Sequence, residues 1–518
     1  MALTEIELMK KETIYKFSLI AILVFAGFIY FYNLHQESLL TDEYFSFYNA
    51  RRSLNELVFS HQKESNPNTL PPFYEIIMHF WLQLFGLSEF AQRSFSAILG
   101  IVSVYVLYRL TRLLFDTKAG LLAALFASLS FSWFSFFRQN RCYSLFICLT
   151  LLSFYLFFYQ LKNKGARFHF SASIIVNVAL IYTHYFAFLV ILIELLLIVF
   201  EHKRDKQWIE KILLIYMCIF FAYAPWYANL LYDINREPLM HAKILYPGLR
   251  LQLYSILMIL FSDFHIIWDP LLTIFYIPLI VMGFIALNKT KNNNPRHLLP
   301  YLILIFFLPF TIIYLITLSD RARYYAPFSF PLFILLAVGI QKINTQKLKM
   351  VVLFPMAVLI VTFNFADFYD FFHNPLHENW KQAVLYIKQV PNYQNEEMVF
   401  VFQTKHNPPV FAYYYWGNQI AASFIDNITT LEGYEKDLAA INTRHKVYFI
   451  SEELHDDSFF KKLNLFSDHA WIWVFRYHDF LSPLYLRAKN DGKYFFHQIT
   501  LNKEIPQIDF FLLKKIKK

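Results

Sequence analysis

Charge is scarce in this chain: only 16% of its 518 residues are Asp, Glu, Lys or Arg. A soluble domain of this size carries nearer a quarter. The hydrophobic share is instead 57%, with 20% aromatic, and the mean hydropathy is +0.37. No pair of cysteines shows metal or redox spacing. Cys142, Cys148 and Cys218 lie in or beside apolar segments and read as small apolar packers. No small-x-small cleavage site follows the polar stretch Met1–Lys16, so the next apolar run reads as a first membrane span rather than a removed signal. Internal repeats and low-complexity segments are lacking. The net charge of +9 is ordinary for a polytopic protein, whose cytoplasmic loops collect Lys and Arg, and does not indicate nucleic-acid binding.

What is present is a series of windows that approach or exceed the roughly 17–25 apolar residues needed to cross a bilayer. Short basic clusters separate them: Lys10, Lys11 and Lys16; Arg109, Arg112 and Lys118; Lys162, Lys164 and Arg167; Lys203, Arg204, Lys206 and Lys211; Lys289, Lys291 and Arg296; Lys342, Lys347 and Lys349. These are the expected cytoplasmic loops. The chain must leave and return between each adjacent pair. Residues 170–200 are nearly all apolar yet basic on both flanks, so two short helices must turn at "THYF", with Thr183, His184 and Tyr185 outside. "FRQNRCY" (137–143) and "SDRARYY" (319–325) fall outside by the same parity, as does the long stretch 226–270, with 251–262 dipping into the interface. A last span near 350–366 completes about eleven.

Segment 71–86, "PPFYEIIMHFWLQLFG", carries Glu75 and His79 and would invert every later loop if it crossed. It reads as an amphipathic helix on the outer surface, as does 43–59. Beyond residue 367, "NPLHENWKQAVLYIKQV" patterns as a helix, and "MVFVFQ", "HKVYFIS", "WIWVFR" and "KYFFHQIT" as short strands. The expected fold class is therefore a polytopic α-helical membrane protein, residues 1–366, whose first external loop (34–92) holds interfacial helices. An extracytoplasmic α/β domain of about 150 residues follows, 367–518.

Ionisable groups at membrane spans are costly and point to function. Asp42, Glu43, Arg93, Arg138, Arg141, His184, Asp320, Arg321 and Arg323 are all assigned to one side. Arginines bind phosphate through planar, multidentate donors. A carboxylate near them can take a proton from an attacking hydroxyl, and flanking spans would solvate a lipid tail. Each residue also has a structural reading. Asp42 and Glu43 fit the start of an interfacial helix with Thr41 as N-cap. Arg138 and Arg141, three apart, would share a helical face as snorkelling arginines. His184 fits a packing role at a tight turn, and Arg321 and Arg323 fit interface anchors. Adjacent helical positions point about 100° apart, so Asp42 and Glu43 cannot share one role. The motif "KHNPPVFAYYYWG" reads either as an acceptor groove or as a packed helix.

Several stretches carry a resemblance in order: "TDEYFSFYNA", "LPPFYEIIMHFWLQLFGLSEFAQRSFSAILG", "RQNRCYSL", "YTHYFAFLV" and "RYYAPFSFPL". Together they resemble the GT-C membrane glycosyltransferases, in particular the protein O-mannosyltransferase-like group that includes the aminoarabinose transferases of lipid A. The resemblance is fullest from about 34 to 201. It implies a sugar carried on a polyprenyl phosphate, transferred to an acceptor hydroxyl of lipid, glycan or protein on the extracytoplasmic face. Asp42 takes the place of the family's catalytic carboxylate, with Glu43 beside it. Arg93, Arg141 and Tyr143 match positions of the family pattern. A phosphate-holding role for them, and for Arg138, Arg321, Arg323 and Tyr324, is inferred, with His184, Tyr185 and Asp320 lining the substrate. Leu70 stands where relatives often carry a basic residue or His, and Arg138-Gln139 where they often carry Gln-Glu, so substrate identity is not carried over. Asp42, Glu43, Asp320 and His184 could ligate a divalent ion, but no ligand set has convincing spacing, and the preferred reading is metal-independent. A composition rich in Phe, Ile, Lys and Asn suits an AT-rich bacterial genome; the expected location is a bacterial inner membrane. A lipid-linked glycan ligase or polymerase, a lipid or sugar transporter or flippase, and a non-catalytic relative are the alternatives. The absence of repeats and the one-sided charges favour the transferase over the transporter.

Overall fold

Apolar runs punctuated by hydroxyl and carboxylate caps set the helix boundaries. The structure, a computed structural model, describes residues 2–59, 70–163, 167–200, 206–236, 269–289, 298–317, 322–343, 380–389, 398–402, 408–417, 445–449, 471–476, 494–499 and 509–515. The chain divides into two compact units, Met1–Leu34 with Leu70–Phe368, and His35–Thr69 with Tyr369–Lys518. Residues 35–69, expected as part of a loop of the membrane domain, belong instead to the same unit as the C-terminal residues.

The first unit is helical. Helix α1 runs Ala2–Phe31, α4 Phe73–Phe85, α5 Glu89–Leu114, α6 Thr117–Leu129, α7 Phe131–Phe137 and α8 Tyr143–Lys162; α2 and α3 belong to the second unit. Then follow α9 (Arg167–Ile181), α10 (Ala187–Phe200), α11 (Lys206–Tyr223), α12 (Tyr227–Arg236), α13 (Asp269–Lys289), α14 (Leu298–Thr317), the single turn α15 (Ala322–Tyr325) and α16 (Phe330–Gln341). Among the described residues, four helical stretches are long and apolar enough to cross a membrane: Met9–Phe31, Glu89–Leu114, Tyr143–Lys162 and Ile209–Asn235. Helices α6 and α7 add a fifth if the pair, bent by 68°, is one broken span. Shorter apolar helices accompany them at His169–Ile181, Ala187–Val199, Ile277–Leu287, Leu298–Ile313 and Phe330–Gln341. The expected segments 251–262 and 350–366 lie outside the described residues.

Caps explain the sharp starts. The Ser88 hydroxyl accepts from the Ala91 N–H (3.2 Å), and the Asp116 carboxylate from the Ala119 N–H (2.8 Å), satisfying donors that a first turn leaves open. Ser130 caps Trp133 at the α6–α7 bend. Glycine permits the closest helix approach. A Cβ on Gly283 would meet the Leu335 carbonyl, and one on Gly339 the Leu279 carbonyl, so α13 and α16 cross backbone to backbone.

The bundle has two distinguishable ends. At one, Lys162 donates to the Leu113 carbonyl and Gln341 to Asp116 (3.0 Å), gathering the ends of α5, α8 and α16 with the start of α6. At the other lie the α7–α8 turn and the α9–α10 turn. The latter is the hairpin that the basic flanks of 170–200 required. The Phe73 N–H donates to the Tyr182 carbonyl (3.0 Å), fixing the start of α4 to that turn.

The second unit contains α2 (Thr41–Arg51), α3 (Leu54–Phe59), α17 (Trp380–Ile387) and α18 (Pro408–Tyr415). It also holds strands β1 (Met398–Phe402), β2 (His445–Phe449), β3 (Trp471–Arg476), β4 (Tyr494–Ile499) and β5 (Asp509–Lys515). The sheet order is β2-β1-β3-β5-β4, with β1 parallel to β2 and β3 and β5 antiparallel to β3 and β4. The strand at 509–515 is not among those expected from the sequence. Its lysines, Lys514 and Lys515, obscure the apolar run "FFLL". Helix α18 packs through Phe411 against Trp380 and Phe400, with ring centroids 6.3 and 4.9 Å apart. The same helix meets α2 through Tyr413, 5.5 Å from Tyr44 and 5.7 Å from Phe47.

Candidate active site

Three turns at one end of the helical unit bring distant residues together. The α7–α8 turn supplies Arg141 and Tyr143, the α9–α10 turn supplies His184, and residues 322–325 supply Arg323 and Tyr324. The Arg141 guanidinium carbon lies 5.8 Å from the Tyr143 ring centroid and that of Arg323 lies 5.7 Å from it. Arg323 is also 5.4 Å from the Tyr324 ring. Each contact contributes roughly 0.5–2 kcal/mol, more where water is excluded. Two cations on one ring repel each other unless an anion lies near.

One carboxylate in this unit bears on the same spot. Glu75 on α4 is buried, and the Cys142 thiol feels it together with Arg141 and Arg323. Burial pushes that thiol up to about 12, while the two arginines pull it down and Glu75 raises it. From the sequence, Glu75 stands out only as a polar residue of an interfacial helix. A carboxylate in the largely apolar run "FYEIIMHFWLQLF" was the available signal.

His184 packs against the same aromatic residues as the arginines. Its ring stacks on Phe146 at 4.9 Å and an interplanar angle of 2°, and lies 6.0 Å from Tyr143 and 6.1 Å from Tyr324. Its Nδ1 accepts from the Phe186 N–H (3.1 Å), so a neutral ring carries its hydrogen on Nε2. Burial first, then the charges of Arg141 and Arg323, hold it down at about 3. A neutral Nε2–H donor is what this imidazole offers a ligand.

Behind these groups runs a polar brace. The Tyr74 hydroxyl donates to Asn140 Oδ1 (2.9 Å), and the Ser144 hydroxyl donates to Ser96 Oγ (3.0 Å). Helices α4, α5 and α8 are thereby tied to the turn that presents Arg141.

Other expected site residues make different contacts. Arg138 is the C-cap of α7 and donates to the carbonyls of Ile29, Tyr30 and Tyr32 at 3.1, 3.2 and 2.6 Å, near the end of α1. Arg93 donates to the Leu34 carbonyl at 3.1 Å. Both serve orphan carbonyls where α1 stops. Arg138 and Arg141 do not share a helical face, because α7 ends at Phe137 and a turn separates them. Tyr185 turns away to hydrogen-bond Asp233 on α12, a partner that no sequence pattern announces. Asp320 and Arg321 lie outside the described residues.

In the second unit, α2 separates the two adjacent carboxylates. Glu43 is fully buried, and its Oε2 accepts from the Leu40 N–H (2.9 Å), the glutamate half of a capping box. Asp42 is half-buried. The N-cap is Leu40 rather than the expected Thr41, which is the first helical residue. With no side-chain oxygen at the cap, the glutamate at the third helical position takes over part of the capping. Among the described residues no group of three or more His, Cys, Asp or Glu side chains gathers to hold a metal ion.

Residues 69–232 match the sequence profile described as dolichyl-phosphate-mannose-protein mannosyltransferase. That stretch contains Arg93, Arg138, Arg141, Tyr143 and His184. No curated protein sequence matches the chain. Among solved structures, ArnT from Cupriavidus metallidurans in the apo state is similar at a TM-score of 0.53 and 12% identity, over 97% of this chain and 98% of that one. The same protein bound to undecaprenyl phosphate is similar at a TM-score of 0.52 and 12% identity, over 95% and 97% of the two chains. The Archaeoglobus fulgidus oligosaccharyltransferase tethered to an acceptor peptide is similar at 0.52 and 11% identity, over 96% of this chain and 74% of that one.

Proposed function

For a multi-pass membrane protein of the GT-C glycosyltransferase fold, we propose transfer of a sugar from a polyprenyl-phosphate carrier to an acceptor hydroxyl. The observation that carries this reading is the pair of guanidiniums on the Tyr143 ring, beside a neutral histidine donor. Such a group favours a ligand that is anionic and oxygen-rich at the end of an apolar bundle, which describes a lipid phosphate. The similarity to an ArnT structure holding undecaprenyl phosphate supports the same choice of donor.

In the proposed reaction the acceptor oxygen attacks the anomeric carbon. The bond from that carbon to the phosphate oxygen breaks, and polyprenyl phosphate leaves with the bonding electrons. Arg141 and Arg323 steady the negative charge that builds on the leaving phosphate, with the His184 Nε2–H as a neutral donor. Preorganised donors of this kind contribute about 3–4 kcal/mol each. Asp42 takes the proton released by the acceptor, and Glu43 holds the start of α2 for it. A single displacement inverts the anomeric centre. About eleven spans, with the turns at 138–142 and 182–186 and the C-terminal unit on the extracytoplasmic face of a bacterial inner membrane, complete the proposal.

The test pairs binding with turnover. Asp42→Asn should bind undecaprenyl phosphate as the wild type does, measured by native mass spectrometry. It should nevertheless fail to restore the missing surface sugar in a deletion strain, measured by glycan mass spectrometry. Near wild-type restoration would remove Asp42 from the chemistry.

A further inference from the structure

A second polar cluster lies inside the bundle, and the proposed transfer reaction does not use it. Its centre is Glu194, the single ionisable residue in the α10 run "AFLVILIELLLIVF" and only 1% exposed. A carboxyl group in such a helix is costly and marks a candidate functional site. Ser153 and Gln160 from α8, Ser173 and Asn177 from α9, and Tyr216 from α11 join it around a small cavity with room for about one water-sized occupant.

The hydrogens of this cluster can be counted. The Asn177 amide nitrogen donates to the Ser173 carbonyl (3.1 Å), which fixes the amide's orientation and leaves Oδ1 as an acceptor. Ser153 Oγ lies 2.8 Å from that Oδ1 and 2.6 Å from Glu194 Oε1. A serine hydroxyl has one hydrogen, and two acceptors cannot both receive it. The conflict ends if Ser153 donates to Asn177 and Glu194 donates to Ser153, which requires the neutral carboxylic acid. Tyr216 then donates to the remaining oxygen, Oε2, at 2.9 Å.

One buried group stays unmatched in that arrangement. The Gln160 amide nitrogen donates to Ser173 Oγ (2.5 Å) and to the His169 carbonyl (3.1 Å), which fixes this amide as well. Its Oε1 is buried with no hydrogen-bond partner, and Gln160 is 3% exposed on the cavity wall. A buried acceptor left open calls for a ligand.

The lining offers oxygen donors: the Glu194 carboxyl, the Gln160 and Asn177 amide oxygens, and the Ser153 and Ser173 hydroxyls. Oxygen ligands suit hard cations. One carboxylate balances one positive charge, so a divalent ion would leave a net charge buried in the bundle, at high cost. We propose that this cavity binds a single small monovalent cation, of sodium or lithium size, in exchange for the proton of Glu194. The step balances as Glu194–COOH plus Na⁺ giving Glu194–COO⁻·Na⁺ plus H⁺. In the occupied state Gln160 Oε1 gains the partner it lacks in the protonated one.

The other groups around Glu194 keep this exchange simple. From α11 the titratable group facing it is Tyr216, and α8 and α9 present Ser153, Gln160, Ser173 and Asn177. Helix α14, which also packs on α10, has two tyrosines in its sequence, Tyr301 and Tyr314, and no acid, His, Lys or Arg. Lys162 on α8 is directed to the Leu113 carbonyl, and His169 on α9 stacks on Tyr159 at 4.1 Å.

Hydrophobic carbodiimides modify buried carboxyls only in the acid form, which gives a direct test on the full-length protein in detergent. Dicyclohexylcarbodiimide should label Glu194, located by peptide mass spectrometry, and Glu194→Gln should remove that label. Replacing choline chloride by 100 mM sodium or lithium chloride should slow labelling at least fivefold, with stronger protection at pH 8 than at pH 6. Gln160→Leu should still be labelled but should lose most of the sodium protection. Labelling indifferent to sodium and lithium would overturn the proposal, as would no labelling of Glu194 at either pH. If Gln160→Leu does not fold, the wild-type melting temperature decides. It should rise with sodium chloride over choline chloride at pH 8 and rise less at pH 6, and an unchanged value at both would overturn the proposal.

Discussion

The helical unit holds two polar clusters built in opposite ways. The one at the turns keeps formal charge, with Arg141 and Arg323 on the Tyr143 ring and Glu75 nearby. The one inside the bundle gathers hydroxyls, amides and one carboxyl group around Glu194 and leaves Gln160 Oε1 without a partner. Position accounts for the difference. Turns at a helix-bundle end bring backbone polar groups and loop side chains that tolerate charge. The middle of an apolar helix offers neither, so a carboxyl there must share its proton or exchange it for a counter-ion.

The largest expected effect strikes the charged cluster. Replacing both Arg141 and Arg323 by Gln should lower sugar transfer by more than about a thousandfold, and each single change by roughly a hundredfold. Undecaprenyl phosphate binding should weaken in parallel, whereas Glu194→Gln should leave that binding unchanged. Equal losses in both clusters would erase the distinction between them.

The next effect is on the bundle itself. Gly339→Leu drives a side chain into the Leu279 carbonyl, forcing α13 and α16 apart. A loss of about 1–3 kcal/mol is expected, read as a lower melting temperature in detergent. A smaller and pH-dependent effect belongs to His184. Its folded-state value is about 3 against an ordinary 6.5, so between these values the unfolded chain binds the extra proton. Stability from this group is therefore complete above about 6.5 and is lost as the pH falls below it, on the order of 1–2 kcal/mol by pH 5. His184→Phe should flatten the fall in melting temperature between pH 6.5 and 5 relative to the wild type. The smallest effect is at α2: Glu43→Ala removes the acceptor for the Leu40 N–H and should cost about 1 kcal/mol or less.

The sequence made much of this legible because bilayer parity is a strong constraint. Basic flanks on both sides of 170–200 required a hairpin, and the chain turns at 182–186. The segment 71–86 was recognisable as a short helix from its length, its Pro-Pro start and its closing Gly86. The sheet was readable strand by strand until "DFFLLKK", where lysines masked the pattern. Arg141, His184 and Arg323 could be singled out because each is a polar group beside an apolar run, and the structure brings all three to the Tyr143 ring. Arg138 and Arg93 satisfied the same criterion, and the structure adds contacts to carbonyls near the end of α1 that nothing local in the sequence announces.

Composition and loop charge by themselves determined the helical membrane character and the hairpin at 182–186, because each depends on short-range pattern and on the cost of crossing a bilayer. Only the tertiary structure decided which arginines share the Tyr143 ring and that buried Glu75 acts on the neighbouring Cys142. It also decided that Glu194, silent in a run of Leu, Ile and Val, meets Ser153, Asn177 and Tyr216. Most of those contacts join residues tens to hundreds of positions apart, and helix rotation, which no local pattern fixes for an all-apolar helix, selects them.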